Sequence, residues 1–124
     1  MPLRSYTEDG ASTLSSVLLV EVNPRWCREN ITLAPTEMDL PIGMVLVKTA
    51  DGDYVPYLAS EENTEASAVL ITDATASDEQ QPAVAVKRGA VVNHGNLLFL
   101  EPVTEEQQAV ALEQLTALGI VPQE

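Results

Sequence analysis

Short runs of apolar and β-branched residues alternate with turn-forming residues along most of this chain, a pattern typical of β-strands. The first run extends from Val17 to Val22. Further candidate strands lie at residues 30–33, 42–48, 54–58, 67–72, 83–87, 90–92 and 97–100. Most of them are bounded by Pro, Gly, Asn, Asp or Ser, which favour turns. The pattern predicts a mainly β domain built from short strands.

Turn-forming residues predict how some of these strands are joined and placed. Asp51-Gly52 lies between two candidate strands and predicts a hairpin, because this dipeptide accepts the positive φ angles of a two-residue type I′ turn. Pro56 lacks an N–H for the ladder, so its strand should lie at a sheet edge or a bulge. Gly89 permits a bend or bulge between the strands on either side of it.

The hydrophobic period changes near residue 104, where a helix is predicted. Thr104 to Gln107 form a capping-box sequence with acidic residues in the first turn, where the helix dipole favours them. An apolar stripe follows at helical spacing, formed by Ala111, Leu112, Leu115 and Leu118. Gly119 is expected to end the helix in a left-handed conformation, with Ile120 folding back on Leu115, and Pro122 prevents renewed winding. We therefore predict one C-terminal helix at about 104–118.

The domain organisation follows from composition. Residues 1–16 are rich in Ser, Thr and charged residues and poor in large apolar groups, so we predict a mobile N-terminal arm. Residues 17–124 are predicted to form one domain. Hydrophobic residues make up 45% of the 124 residues but aromatic residues only 4%, so the core must consist mostly of aliphatic side chains. Such a core is small, and oligomerisation is expected to support it.

The charge of the chain excludes some partners. With 19 acidic against 6 basic residues and a net charge of -13, the chain lacks the cations that neutralise nucleic-acid phosphates. We therefore expect no nucleic acid and no membrane partner. A charged leader and an apolar run of membrane-spanning length are also not visible, so the sequence favours a soluble protein.

No pattern in the chain indicates catalysis or cofactor binding. Cys27 is the only cysteine, and we predict a small buried thiol, although Arg25 and Arg28 could lower its pKa. His94 is the only histidine and lies in a predicted turn without a visible acid or nucleophile. The acidic pairs Asp51 with Asp53 and Glu61 with Glu62 lack the pattern of a calcium loop. We expect no catalytic residue, no metal site and no cofactor.

Two groups of residues are candidates for contacts with another protein. The apolar run that follows the predicted arm can pair with the sheet edge of another chain, or it can be an ordinary core strand after a frayed terminus. Arg25, Trp26 and Arg28 form a possible interface anchor, because Trp and Arg are enriched in binding hot spots. A capping or packing role for these three residues is the alternative.

Many positions across residues 28–121 together resemble the phage head decoration protein family. They are Arg28, Glu29 and Thr32, Gly43, Val45 and Leu46, Tyr54, the Ala-rich 66–71 strand, Arg88, Gly89, Val91, Val92 and Asn93, and Leu118, Gly119 and Ile120. Two features depart from the family pattern. Ala34-Pro35-Thr36 replaces a common Ala-Gly-Gln, and Trp26 with Cys27 is not part of the pattern.

The resemblance implies a small β-clip or barrel-like fold that forms homotrimers on the outer surface of an expanded capsid. It also implies that the N-terminal arm becomes ordered on the shell and holds neighbouring major capsid subunits together. The protein would then be located on the virion exterior, and in the host cytoplasm during assembly, and would act by binding. On this basis we expect the arm's contact with the capsid to involve Leu14, Val17, Leu18 and Val20, the apolar residues that follow the mobile segment.

Two other functions remain open from the sequence. One is a different virion binding module, such as a tail or receptor-attachment domain. The other is a small trimeric nucleotide hydrolase of the deoxyuridine triphosphatase kind. The hydrolase would need glycine-rich and carboxylate motifs that are not visible in the chain.

Overall fold

The computed structural model describes residues 4–5, 17–57, 65–100 and 103–123. The strands in these ranges are β1 (Arg4–Ser5), β2 (Leu18–Glu21), β3 (Arg28–Leu33), β4 (Val45–Lys48), β5 (Tyr54–Pro56), β6 (Ala66–Leu70), β7 (Gln81–Val86), β8 (Ala90–Asn93), β9 (Leu98–Phe99) and β10 (Ile120–Gln123). The helices are α1 (Pro24–Cys27) and α2 (Glu105–Ala117). The prediction of a mainly β fold with a C-terminal helix is confirmed.

Five strands form a closed barrel in the order β3-β5-β4-β6-β7. The longest pairing in the barrel joins β3 and β7, which run antiparallel from the Arg28 and Val86 pair to the Leu33 and Gln81 pair. The barrel closes where Leu33 pairs with Tyr54 of β5. This barrel agrees with the barrel-like architecture that the resemblance implied.

Strands β4 and β6 of the barrel bury side chains on both faces, whereas the buried side chains of β3 lie on one face. In β4, Leu46 lies in the cluster inside the barrel, whereas Val45 and Val47 belong to the cluster outside it. In β6, Leu70 points into the barrel and Val69 points outward. Successive side chains of a strand point to opposite faces, so a strand that is covered on both faces needs a continuous apolar sequence. The unbroken apolar runs in the sequence therefore predicted strands without indicating which residues face inward.

The hairpin predicted at Asp51-Gly52 is present, but its loop differs from the prediction. The N–H of Thr49 donates to the Asp53 carbonyl at 2.8 Å and the N–H of Gly52 donates to the Thr49 carbonyl at 3.0 Å. These bonds enclose a three-residue loop rather than a two-residue type I′ turn, with Gly52 at a φ of 95°. The predicted edge position of this strand is wrong, because β5 lies in the closed barrel between β3 and β4. Pro56 itself is paired only with Leu46, on the β4 side, so its missing N–H removes no bond to β3.

A second sheet of three strands covers the outside of the barrel in the order β10-β8-β2. Its β10 strand was not predicted, because Pro122 indicated only the end of the helix. In the structure Pro122 pairs with Val92 in a parallel arrangement, and β10 is an edge strand of this sheet. A proline is tolerated at an edge, where its missing N–H removes no bond on the outer side.

Helix α2 packs with this sheet and the barrel in the outer core cluster. The capping box at Thr104 is formed with Gln107, as predicted. Ala111 and Leu115 are fully buried, but Leu118 is 43% exposed, so the predicted apolar stripe is wrong at its last position. Leu118 is the C-cap, beyond the last residue that packs on the core. The stripe begins instead at buried Gln108, whose side-chain amide donates to the Val103 carbonyl at 3.3 Å.

Part of the predicted N-terminal arm lies in the described residues. Strand β1 pairs in parallel with β9, with Arg4 opposite Leu98 and Ser5 opposite Phe99. The remainder of residues 1–16, including the rest of the predicted mobile segment, lies outside the described residues.

The barrel, the outer sheet and both helices meet at Gly89. Its carbonyl accepts the N–H of Val22 at 2.9 Å and the thiol of Cys27 at 3.2 Å. The ring of Trp26 lies so close that a Cβ at Gly89 would be 2.4 Å from a ring carbon. A Cβ at Gly119, the residue after the helix cap, would lie 3.2 Å from the Gly89 nitrogen. Gly89 has a φ of 66°, which side chains disfavour, and it has no room for a Cβ, so both its backbone conformation and its surroundings favour glycine.

We expect Gly89→Ala to lower the free energy of unfolding by about 2–4 kcal/mol, because it adds a collision with Trp26 to a strained backbone. Gly52→Ala is the matched control, since Gly52 also has a positive φ but nothing lies within 4 Å of its added Cβ. The control should lose only about 1–2 kcal/mol. Urea unfolding of both variants measures the difference, and equal losses would contradict the crowding at Trp26.

Candidate functional site

The outer face of the three-stranded sheet carries a patch of apolar side chains, of which Val91 is half-buried and the others are exposed. Val20 of β2 and Val121 of β10 both pair with Val91 of β8, so the three form a row across the sheet. A register shift between Leu18 and Val20 places Leu19 beside Val20 on the exposed side of the strand. We call Leu19, Val20, Val91 and Val121 the outer apolar face. Exposed groups of apolar residues commonly mark contact surfaces.

Of the four predicted contact residues of the arm, one lies on the outer apolar face, two pack in the core and one lies outside the described residues. Val20 is 55% exposed and belongs to the outer apolar face. Val17 is fully buried in the outer core cluster, and Leu18 packs against that cluster opposite buried Val92. Their side chains therefore stabilise the body and are not presented at its surface. Leu14 lies outside the described residues.

Sequence reasoning missed three residues of the outer apolar face. Leu19 was overlooked because a regular alternation would place it opposite Val20, and only the bulge brings both to the same side. Val91 and Val121 were overlooked because neither is near the arm in sequence. The parallel pairing of β10 with β8 brings them together, and the sequence gave no signal for that pairing.

The predicted anchor residues Arg25, Trp26 and Arg28 have different environments. Arg28 forms a bidentate ion pair with Glu21, with nitrogen to oxygen distances of 2.7 and 2.6 Å. This hydrogen-bonded carboxylate raises the pKa of Arg28 above its ordinary value. Because the pair joins the end of β2 to the start of β3, Arg28 has the packing role considered as the alternative. Arg25 is exposed on α1, and Trp26 is 52% exposed above Gly89.

A second ion pair lies on the far side of Trp26. The Arg88 guanidinium donates both to the carboxylate of Glu29 and to the carbonyl of Trp26. The bond from Arg88, helped by the positive charges of Lys87 and Lys48, lowers the pKa of the Glu29 carboxyl below its usual value. The pair connects β3 to the segment that leads from β7 to Gly89.

A groove of about 740 Å³ opens between Trp26 and the end of α2. Its lining includes Trp26, Lys48, Glu65, Lys87, Arg88 and Leu118. Three of the 6 basic residues of the chain therefore line one groove of a protein whose net charge is -13. We call this feature the Trp26 groove. Its floor is formed at Gly89 and Gly119, where two backbone segments approach each other closely.

The described residues assemble no group of three or more His, Cys, Asp or Glu side chains that could hold a metal ion. Cys27 is fully buried, as predicted, and its thiol donates to the Gly89 carbonyl. His94 is half-buried in a short 3-10 turn beside Leu112 and Pro122. No helix within the described ranges has the length and apolar character required to span a membrane.

We expect Glu29→Gln to destabilise the protein at neutral pH but not in acid. A carboxyl whose pKa is lowered by folding stabilises the folded state above its unfolded pKa, and this stabilisation disappears as the pH falls through the folded pKa. Because 43% of the Glu29 side chain is exposed, solvent screening limits the effect to roughly 0.5–1 kcal/mol.

Urea unfolding at about pH 7 and about pH 2 tests this expectation, since these values lie on either side of the ordinary Glu pKa. Glu113→Gln is the control, because Glu113 is exposed and forms no ion pair with the described residues. It measures the effect of removing one negative charge from an acidic protein. A deficit of Glu29→Gln relative to this control that persists at the acidic pH would contradict the assignment.

Comparison with known proteins identifies the family of this fold. The family model described as bacteriophage lambda head decoration protein D matches residues 7–120 of the 124-residue chain. Neither the curated proteins nor the solved structures include a significant match. The matched region contains the whole barrel, strands β2 and β8, and helix α2. The chain therefore belongs to the bacteriophage lambda head decoration protein D family, and its role is structural, at the phage capsid.

Proposed function

We propose that this protein binds the outer surface of an expanded phage capsid as a homotrimer and stabilises the shell. Its partner is the major capsid protein. The observation that carries the proposal beyond family membership is the outer apolar face, which begins three residues after the predicted arm and is exposed in the isolated subunit. Residues 1–16 and this face together form the proposed contact with the shell.

Strand β2 is suited to pair with another chain. It is an edge strand of its sheet, because β8 is its one neighbour in the described part of the chain. An edge strand has backbone N–H and C=O groups directed away from its neighbour, and an extended segment can bond to them. The exposed side chains of Leu19 and Val20 add apolar burial to such pairing.

Burial of the outer apolar face against a partner would contribute substantially to the free energy of binding. Complete burial of an exposed Val or Leu contributes about 1.5–3 kcal/mol, and the half-exposed side chains of the outer apolar face contribute roughly half as much each. Part of this free energy offsets the entropy that association itself costs. Three linked copies engage the shell together, which raises the effective concentration of the second and third arms.

Trimer formation is supported by the composition of the body. The aromatic fraction is 4%, and the buried side chains are mostly Leu, Val and Ala, with Tyr54, Tyr57 and Phe99 as the buried aromatic residues of the described part of the chain. A domain of this size with few aromatic side chains gains stability from an added interface. Sedimentation analysis of the purified full chain tests this step, and a stable monomer would contradict it.

The arm and the outer apolar face can be tested by co-sedimentation with expanded empty heads assembled from the same phage's major capsid protein. The full chain should sediment with the heads and raise the temperature at which they rupture. A chain that lacks residues 1–16 should bind weakly or not at all, because the arm no longer contributes contacts. If the deletion left binding unchanged while the chain remained folded, the role of the arm would be abandoned.

We expect Val20→Asp to weaken binding to expanded heads by about tenfold or more, since it replaces a buried contact with a charge that must lose its hydration. Val110→Asp is the matched control, because Val110 is 49% exposed on α2 and lies outside the proposed contact. The control should bind like the unaltered chain. Equal affinities of the two variants, both with unchanged thermal unfolding, would show that Val20 does not face the shell.

A further inference from the structure

We propose that the Trp26 groove binds a short acidic segment of the major capsid protein. This inference rests on the proposed function and adds a second contact, separate from the arm. In this contact, a carboxylate of the segment lies against Lys48 and Lys87, and a neighbouring apolar side chain packs between Trp26 and Leu118.

The two lysines are available for such a carboxylate. Neither forms an ion pair with any residue that the structure describes. Lys48 is exposed at the end of β4. Lys87 is held in place by a 2.6 Å hydrogen bond to the Tyr54 hydroxyl and lies over the Tyr54 ring at 5.3 Å, and neither contact neutralises its charge. A lysine positioned by neutral partners is prepared to receive an anion.

The remaining charges leave the groove cationic. The Glu29 carboxylate is paired with Arg88 and also interacts with the charges of Lys48 and Lys87, so it offsets one of the three positive charges at the groove. Glu65 at the rim offsets part of the charge of the two lysines. The groove nevertheless differs in sign from the rest of a strongly acidic protein, and this difference selects an acidic partner.

The apolar part of the groove is also exposed. Trp26 is 52% exposed and Leu118 is 43% exposed, although both are large side chains. One face of the Trp26 ring lies against the backbone of Gly89, and the other part of the ring is open to solvent. A half-exposed Trp beside cations is the kind of residue that often dominates binding energy in protein interfaces.

The position of the groove favours the shell over a second copy of this chain. The groove adjoins the proposed contact surface, because Val22 at the end of β2 bonds to Gly89 in the groove floor. Both surfaces can therefore face the same partner. A single rigid docking event would engage the outer apolar face and the groove together.

One cluster of acidic residues on a second copy lies at the far end of the barrel from the groove. Two loops that contain no Lys or Arg carry this cluster, which consists of Glu37, Asp39, Asp73, Asp78 and Glu79. Two isolated bridges join these loops, one between Thr36 and Ser77 and one between Leu40 and Ala74. These loops extend from the end of the β3 and β7 pair where Leu33 meets Gln81, whereas the groove lies at the end where Arg28 meets Val86. A contact between the groove and these loops of another copy would be heterologous, and such contacts form a closed ring only where the rotation between subunits closes.

The test compares Lys48→Gln with Asn30→Asp in co-sedimentation with expanded empty heads. Both substitutions make the chain more negative by one charge, and Asn30 is exposed on β3 outside the groove. We expect Lys48→Gln to weaken binding at least about threefold, with a greater effect at low ionic strength, because an exposed ion pair is screened by salt. Asn30→Asp and the conservative Lys48→Arg should bind nearly as well as the unaltered chain.

Zero-length carbodiimide coupling of bound heads identifies the occupant. The expected product joins the Lys48 or Lys87 amine to an Asp or Glu of the major capsid protein, and mass spectrometry of the digested complex locates it. Leu118→Ser should reduce both the binding and the yield of this product, which tests the apolar half of the groove.

The outcomes separate this inference from the proposed function. If the unaltered chain did not sediment with heads, the proposed function would fail and this inference with it. If the chain bound heads while Lys48→Gln behaved like Asn30→Asp, only the groove assignment would be overturned. Coupling of the lysines solely to a second copy of this chain would also overturn it and would assign the groove to the subunit interface.

Discussion

The close approach of backbone segments at Gly89 determines how the parts of this protein are arranged. The Gly89 carbonyl accepts two hydrogen bonds, one from the end of β2 and one from the thiol of Cys27, and the adjacent N–H of Ala90 donates to Gly119 after the helix. The barrel strand β7, the outer sheet, α1 and the end of α2 are thus fixed relative to one another through one small region. A side chain at Gly89 would displace the Trp26 ring, so the absence of a Cβ here allows both the fold and the Trp26 groove.

This junction also explains why an aromatic-poor chain can bury an adequate core. The outer sheet and α2 are held against the barrel, so the outward side chains Val45, Val69 and Val86 are buried as completely as the inward Leu46 and Leu70. Burying both faces of the same strands uses aliphatic residues efficiently, because each strand contributes to two clusters. The cost is that the strands lack the alternation that would specify their orientation, and the orientation depends on the contacts that the junction maintains.

The sequence predicted the local features well and the long-range pairings poorly. The capping box at Thr104, the turn at Gly119 and the hairpin at Gly52 depend on neighbouring residues, and all three occur in the structure, although the hairpin loop is one residue longer than expected. By contrast, β10 and the outer apolar face depend on a parallel pairing of residues about thirty positions apart, with Ile120 opposite Ala90. Propensity and periodicity carry no information about such pairings. In addition, Pro122 within β10 lowers the strand propensity of this segment. Of the predicted contact residues, Val20 is exposed, while Val17 and Leu18 contribute to the core.

The burial of Val17 determines where the chain enters the outer sheet. Because Val17 is fixed in the core and directly precedes β2, the chain enters this strand at a defined point beside the outer apolar face. The outer apolar face itself lies on the paired strands β2, β8 and β10, so its side chains are held on an ordered backbone before any association, which reduces the entropy that association costs. The net charge of -13 opposes association between copies by repulsion, and it does so while these apolar side chains stay exposed.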